Sequence, residues 1–269
     1  LENASLISWN RQTKMNKESL PYRALCADYY ELDKPKAPKD ALECYLNYAK
    51  EANGPILEPM CGTGRFLIPL LEHGYDVTGF DYSPYMLDVC RKKCKERGLS
   101  SKLQEATFET FSSSELYNLI FIPSGSFGHL ITPEQVNLAL TFISGRLKSG
   151  GKFVVEIETL RSIREPQDVW RGRWISRPDG SKIVINILSR FNPITRVETG
   201  LIRYELWEEN KISRTEVEDF HVRHYEPSEI EKLIELHNLK IVGKWQADPY
   251  SRTNASHDTP LILYECIKH

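Results

Sequence analysis

The chain has 269 residues, a formal net charge of −2 and 41% hydrophobic residues, which suits one α/β domain with an insertion and a substantial buried core. Lys and Arg are scattered, so no basic field invites a nucleic-acid backbone, and no long apolar segment or signal-peptide pattern points to a membrane. Six cysteines, Cys26, Cys44, Cys61, Cys90, Cys94 and Cys266, show neither C-x-x-C nor paired-histidine spacing, which argues against a metal site and a disulfide framework, and the lack of a membrane span or signal-peptide pattern makes a cytoplasmic location the expectation.

Residues 1–14 begin with Leu, and Met15 offers a native start, so the leading piece reads as an extension or a non-native addition. From Leu20 the chain runs through Tyr22, Tyr29 and Tyr30 to a Lys/Pro-rich hinge at residues 34–39 and a helix over 40–52. The apolar run from Ile56 reaches Glu58 and breaks at Gly62 and Gly64 before apolar spacing resumes at Phe66, Leu67, Leu70 and Leu71. That pattern is strand, tight glycine turn, helix. Glycine is needed where the backbone reverses with φ > 0 and where a ligand approaches bare backbone, and a following helix presents free N–H groups, so an anionic or nucleotide-like ligand is expected. A second strand, 75–80, ends in Asp81, an acid placed to accept both hydroxyls of a ribose. A nicotinamide dinucleotide fold would want a third glycine where Leu67 stands and would not need Glu58.

The run E-P-M-C-G-T-G-R at 58–65, followed by V-T-G-F-D-Y-S-P-Y-M-L at 77–87, resembles motifs I and II of the class I S-adenosylmethionine-dependent methyltransferases. The resemblance extends from Tyr30 to the C-terminus and is most specific between Ile56 and Leu87. It implies a doubly wound, seven-stranded Rossmann-like α/β sheet with its last strand antiparallel, S-adenosylmethionine as cofactor and S-adenosylhomocysteine as product. On this resemblance the backbone of Met60, Cys61, Gly62 and Gly64 flanks the methionine part of the cofactor and Glu58 lies near its amino group. Asp81 holds the ribose, Tyr82 and Met86 border the adenine, and Arg65 and Pro123 complete the set. The N-terminal piece would fold over the cofactor as a lid, which makes Tyr29 and Tyr30 candidates for the site; their other reading is packing of the lid onto the domain.

Ser83 and Pro84 supply the N-cap and first position of a helix that Gly98 ends. Strand three covers 102–106 and departs from the family: Ala106 stands where an acid usually receives the adenine amino group, and Glu105 points the other way along the strand. The backbone of Ala106 and Thr107 is therefore expected beside the adenine. Strand four, 119–122, opens into P-S-G-S-F-G-H-L at 123–130, where such a strand reaches the ligand crevice. No N-P-P-Y follows, which disfavours nucleic-acid and protein substrates. The segment resembles the S-S-x-G-H-L element of small-molecule N-methyltransferases, including those acting on amino sugars, in which the histidine faces the acceptor. His129 is the expected catalytic base, with Tyr30 the second catalytic candidate, because a neutral imidazole can accept the proton of an ammonium or hydroxyl group. The competing reading is a histidine that caps the next helix or bonds to backbone.

Residues 132–135 form a capping box that starts a helix to about residue 147, and Gly150 and Gly151 turn the chain into strand five, 152–158. Alternation of strand and helix up to this point argues a doubly wound sheet. Four strand-like runs follow, 169–176, 182–191, 196–208 and 211–225, joined by hairpin turns: an inserted antiparallel meander. The expected division is an N-terminal extension and lid over 1–54, a cofactor-binding core over 55–160, the β cover over 161–226 and a completing segment over 227–269. In the resembling enzymes such an insertion covers the acceptor pocket or builds a dimer contact, so a homodimer through it is expected. Within it W-R-G-R-W at 170–174 suits an anionic or planar acceptor, or is plain sheet surface. Pro227 starts a helix with Ile230, Leu233, Ile234 and His237 on one face, and strands 241–245 and 261–267 finish the chain. The expected activity is in-line methyl transfer to a small-molecule amine or hydroxyl, with an RNA or protein methyltransferase, or a non-catalytic S-adenosylmethionine-binding module, as alternatives.

Overall fold

The computed structural model describes residues 22–248, 250 and 252–269; residues 1–14, Met15 and Leu20 lie outside the described residues. Helix α1 (Ala24–Asp33) buries the near-continuous run Leu25, Cys26, Ala27 and Tyr29 and has no capping side chain of its own. Helix α2 (Lys39–Ala52) instead buries Ala41, Tyr45, Tyr48 and Ala49, the spacing of one packed face, and ends on left-handed Asn53.

The core alternates β1 (Ile56–Pro59), α3 (Leu67–Glu72), β2 (Val77–Asp81), α4 (Pro84–Glu96), β3 (Lys102–Glu105), β4 (Tyr117–Ile122), α5 (Pro133–Arg146) and β5 (Leu147–Glu158). Every residue of β1 and β2 is buried, as befits parallel strands covered on both faces. Ser83 caps α4 by accepting the Met86 N–H, and Thr132 with Gln135 closes a reciprocal capping box on α5. Strand β5 begins at Leu147, earlier than the glycine pair suggested, because Leu147 already pairs with Tyr117; the residues between it and Lys152 loop out before Lys152 pairs with Leu119.

Helix α6 (Pro227–Leu236), β10 (Leu239–Gln246) and β11 (Leu261–Lys268) complete a seven-stranded sheet in the order β10-β11-β5-β4-β1-β2-β3. The pairs from β3 to β5 are parallel, and β11 runs antiparallel to both β5 and β10. The winding reverses between β1 and β4, which opens a crevice at the carboxyl edge of the sheet. The glycine turn and Pro123 follow strands at that edge, and Asp81 ends one.

The insertion is a second sheet, β6 (Arg171–Ser176), β7 (Lys182–Asn192), β8 (Val197–Glu208) and β9 (Lys211–Arg223), antiparallel in chain order. Side chains alternate between its faces. Ile183, Ile185, Ile202 and Tyr204 pack inward on Leu25, Cys26 and Tyr29 of α1 and on Met86 of α4. Trp174, Trp207, Ile212 and Val217 face outward and are exposed. The lid helix is thus sandwiched between insertion and core. The chain re-enters the core where Tyr225 donates its N–H to the Glu158 carbonyl at 3.0 Å and forms a parallel bridge with Thr159.

Candidate active site

Beyond Pro59 the chain turns through three left-handed residues, Met60 (φ +58°), Gly62 (+54°) and Gly64 (+78°). Gly64 is required twice over, since a Cβ there would lie 2.5 Å from Cys90 Sγ. At Gly62 a Cβ would meet no atom within 4 Å, so this face of the turn borders open space. Regular helix begins only at Leu67, and a ligand entering that space meets bare turn backbone rather than a helix end.

Two acids flank the turn. Asp81, at the tip of β2, accepts the Gly62 N–H through Oδ2 and the Ser83 N–H through Oδ1, both at 2.9 Å, which ties the glycine turn to the start of α4. Burial pushes its carboxyl up to about 6, against the opposing pull of the Ser83, Gly62 and Tyr82 N–H groups. Each oxygen keeps acceptor capacity for a further donor. Glu58 is 2% exposed, and burial pushes its carboxyl well above the usual range despite the Arg65 guanidinium and the Leu67 N–H. Its Oε2 is buried with no hydrogen-bond partner. An orphaned buried acceptor is costly, so a donor or cation brought to it gains the whole of that penalty back.

Arg65 joins the turn to the lid and to the end of β4: it donates to Ser124 Oγ, and its guanidinium lies 5.8 Å from the Tyr30 ring centre and 5.3 Å from that of Phe66. Ser124, just past Pro123, is left-handed (φ +61°) and donates its N–H to Glu156 Oε2 at 2.7 Å. Glu156 is fully buried and also accepts the Tyr45 hydroxyl at 2.5 Å, so α2 helps fix this turn. Ala106 and Thr107 come to the same edge with their N–H groups engaged, by the Asp81 carbonyl and Thr110 Oγ1, each at 2.9 Å. Met86 is buried under the lid.

His129 ends a short 3₁₀ turn (Ser126–His129) after β4. Its Nδ1 lies 3.1 Å from the His221 carbonyl, which can only accept, so Nδ1 carries the proton and Nε2 is the acceptor. Nε2 receives the Tyr22 hydroxyl at 2.8 Å. Burial pushes the His129 pKa below the usual histidine value, so the ring is neutral near pH 7. Phe220 packs edge-on to it at 5.3 Å, and Tyr22 meets both His129 and Tyr82 edge-on, at 5.7 and 6.3 Å. Backbone bonding through Nδ1 and an acceptor nitrogen that takes the Tyr22 hydroxyl therefore coexist on this histidine. Tyr30, the other catalytic candidate, is turned to Arg65 and Lys34 beside the glycine turn rather than to His129. Tyr22 occupies that place, and nothing in the local sequence marks it.

Residues 56–151 match a family model described as a methyltransferase domain. Over those residues the chain carries a methyltransferase domain. YqeM of Bacillus subtilis (strain 168), which its name assigns to the methyltransferases, is 27% identical over 144 residues, 54% of this chain and 58% of its own length. The chain thus spans little more than half of that relative. A crystal structure of an S-adenosylmethionine-dependent methyltransferase from Clostridium acetobutylicum ATCC 824 superposes with a TM-score of 0.75 at 19% identity, covering 90% of this chain and 96% of its own. The sugar N-methyltransferase KedS8 from Streptoalloteichus sp. ATCC 53650 gives 0.71 at 14% identity, covering 90% and 92%. At these identities the likeness is one of fold.

Outside the crevice, the tryptophan-arginine run is divided between two tasks. Arg173 pairs with Asp33 at 2.9 Å and lies over the Tyr29 ring, holding the lid, while Arg171 bonds the Pro166 carbonyl and Trp174 faces outward. Arg223 pairs with Glu229 at 2.7 Å and the Tyr225 hydroxyl reaches the Leu130 carbonyl, so both brace α6 and the His129 turn. Cys90 and Cys94 are buried in the apolar layer under the glycine turn, and His237 bonds the Leu233 carbonyl at 2.7 Å. Among the described residues no His, Cys, Asp or Glu group is arranged to hold a metal ion, and no helix is long and apolar enough to cross a membrane.

Proposed function

We propose that the chain transfers the sulfonium methyl of S-adenosylmethionine to a small-molecule acceptor, an amine first and a hydroxyl second, by in-line displacement. The observation that carries this reading is the pairing, at one crevice edge, of a glycine turn flanked by two acids with a neutral histidine whose acceptor nitrogen is fixed by a tyrosine hydroxyl. The residues present fit the cofactor. The orphaned Oε2 of Glu58 suits its ammonium group, the open face of Gly62 admits its methionine portion, and the spare acceptor capacity of Asp81 suits the ribose hydroxyls. Met60, Cys61, Gly64, Arg65 and Pro123 complete the cradle in this reading, with Tyr82, Met86, Ala106 and Thr107 beside the adenine.

When bound, the cofactor supplies a methyl group that is already electrophilic. The chain's own work is to hold the acceptor in line, which in favourable intramolecular models is worth up to about 7 to 11 kcal/mol, and to exclude water beneath α1. His129 Nε2 then receives the acceptor's proton, relayed by the Tyr22 hydroxyl as its own proton moves to the ring; a placed base contributes about 10² to 10⁴ in rate. Support for an amine comes from the sugar N-methyltransferase among the structures of like fold. The exposed outer face of the inserted sheet, with Trp174, Trp207, Ile212 and Val217, is the natural surface for the expected pairing of two copies, which sedimentation at graded concentrations tests.

Calorimetric titration with S-adenosylmethionine and S-adenosylhomocysteine comes first, followed by a mass-spectrometric screen of small amines and alcohols for added methyl groups. Binding of both ligands and methylation of an amine are expected. A folded protein that binds neither ligand sinks the reading, and binding without turnover of any acceptor class would favour a non-catalytic module.

A further inference from the structure

The inserted sheet reaches the crevice through the segment that precedes α1. Tyr22 has φ +59°, a left-handed backbone that a bulky side chain rarely adopts and that surrounding contacts must hold. Those contacts come from two sides. On β9, Glu218 accepts the Tyr22 N–H through Oε2 at 3.1 Å and the Arg23 N–H through Oε1 at 2.8 Å. Glu216, on the same face of that strand, accepts the Leu25 N–H at 2.9 Å. Arg23 fastens itself to the same strand by donating to the Val217 carbonyl at 2.5 Å. From the opposite side Ser83 Oγ, at the start of α4, donates to the Tyr22 carbonyl at 2.8 Å.

Helix α1 has no side-chain cap of its own, and its first N–H groups would otherwise lack partners. Two carboxylates of the insertion take two of them, those of Arg23 and Leu25, at the helix end where negative charge is favoured. Glu218 is 6% exposed and the two N–H groups it binds are adjacent in sequence, so its two oxygens act as a fork matched to one backbone conformation. At the far end of the same residue, the Tyr22 hydroxyl lies on His129 Nε2.

We propose that Glu218 is a positioning residue: its carboxylate, carried by the inserted sheet, holds Tyr22 in the left-handed conformation and thereby sets the Tyr22 hydroxyl on Nε2 of His129. The insertion does not merely cover the acceptor side; it assembles the base. The catalytic meaning of this clamp rests on the proposed role of His129, whereas the clamp itself does not. A carboxylate is required because both donors are N–H groups. Glutamine would turn an amide N–H toward one of them and keep only one acceptor. Around Glu218 stand Tyr22 and Arg23 before α1, Cys26 in α1, Tyr82 from the turn before α4, Tyr204 from β8 and Glu216 on its own strand. Around the His129 ring stand Tyr22, Phe220 and His221.

The test is ring-nitrogen NMR of the full chain, with the His129 signal assigned by its loss in His129→Asn. In the unaltered protein His129 is expected to hold one tautomer, protonated on Nδ1, and to titrate below the usual histidine range. In Glu218→Gln the Tyr22 ring is expected to withdraw, with the His129 titration moving up toward the usual value and the Nε2 signal losing its hydrogen-bonded shift. Glu218→Asp, which keeps the charge with a shorter reach, is expected to move it less in the same direction. A folded Glu218→Gln whose His129 titrates as in the unaltered protein overturns the proposal; if that variant does not fold, Glu218→Asp is judged by the same criterion. The function is tested separately: full methyl transfer by His129→Asn would remove the base from the mechanism, while a moved His129 titration in Glu218→Gln would still uphold the clamp.

Discussion

Replacing Asp81 with alanine is expected to separate binding from stability, because the same carboxylate is disfavoured in the empty protein and favoured under a ligand. With its carboxyl raised to about 6 by burial, against about 3.9 in an unfolded chain, Asp81 takes up a proton on folding between those values. Stability from this group is therefore greatest below about pH 4, declines as pH rises through about 6, and is level above. Ionising the buried group costs on the order of 3 kcal/mol at pH 7, a shift of about two units at 1.36 kcal/mol each. Alanine relieves that cost but also loses the bonds to the Gly62 and Ser83 N–H groups, so Asp81→Ala is expected to change stability at pH 7 by no more than about 2 kcal/mol. Ligand affinity moves much further. A hydrogen bond to a charged acceptor is worth about 1.5 to 3 kcal/mol, so losing even one bond to the ribose weakens S-adenosylhomocysteine about 10- to 150-fold. Calorimetry beside thermal denaturation measures both quantities. In the unaltered protein the affinity should also fall as pH drops through about 6, where protonation removes the acceptor pair, and this dependence should vanish in Asp81→Ala. A folded Asp81→Ala binding within threefold of the unaltered protein would refute the assignment of the ribose to Asp81.

Alanine at the two loop glycines should act differently: Gly64→Ala, with a Cβ 2.5 Å from Cys90 Sγ, is expected to destabilise by about 2 to 4 kcal/mol in a melt. Gly62→Ala meets no protein atom, so its stability cost stays near the 1 to 2 kcal/mol of a left-handed backbone, roughly, while its Cβ enters the ligand's space and lowers cofactor affinity at least tenfold in titration. Tyr22→Phe and His129→Asn are each expected to lower methyl transfer by about 10²-fold with cofactor binding within threefold, read by steady-state rates beside calorimetry. Thr132→Ala removes the cap of α5 and should cost about 1 kcal/mol by denaturant titration with no change in ligand binding, a control for purely structural loss.

The parts of this site that lie within one stretch of chain are legible in the sequence, and those made by distant segments are not. Glu58, the glycine turn and Asp81 follow from strand, turn and helix signals that are local, and the caps at Ser83 and Thr132 are equally local. The inserted meander showed itself by its hairpin turns. Helix α1 gave no periodic signal because it is gripped on two sides and buries Leu25, Cys26 and Ala27 in succession rather than one stripe. Tyr22 was overshadowed by Tyr30 for a related reason. Its placement depends on Glu218, far away in sequence, and on a positive φ that no side-chain pattern announces. The start of β5 was missed because its first pairing, Leu147 with Tyr117, precedes the glycines that look like a boundary.

The bridge between Thr159 and Tyr225 has a bearing on how such a chain can diversify. The polypeptide leaves the core and comes back to it at neighbouring strand positions, about 4.8 Å apart, so the core experiences the whole second sheet as a loop whose ends are already joined. Another meander of different length or pocket shape can be spliced between those two positions with little penalty for closure, leaving the cofactor cradle untouched. The graft would need to bring along a counterpart of the β9 carboxylates, because the N–H groups of Tyr22, Arg23 and Leu25 at the start of α1 are held by the insertion. On the proposed reading, acceptor preference can therefore drift as a module while the methyl donor stays fixed, provided that one handhold is inherited with it.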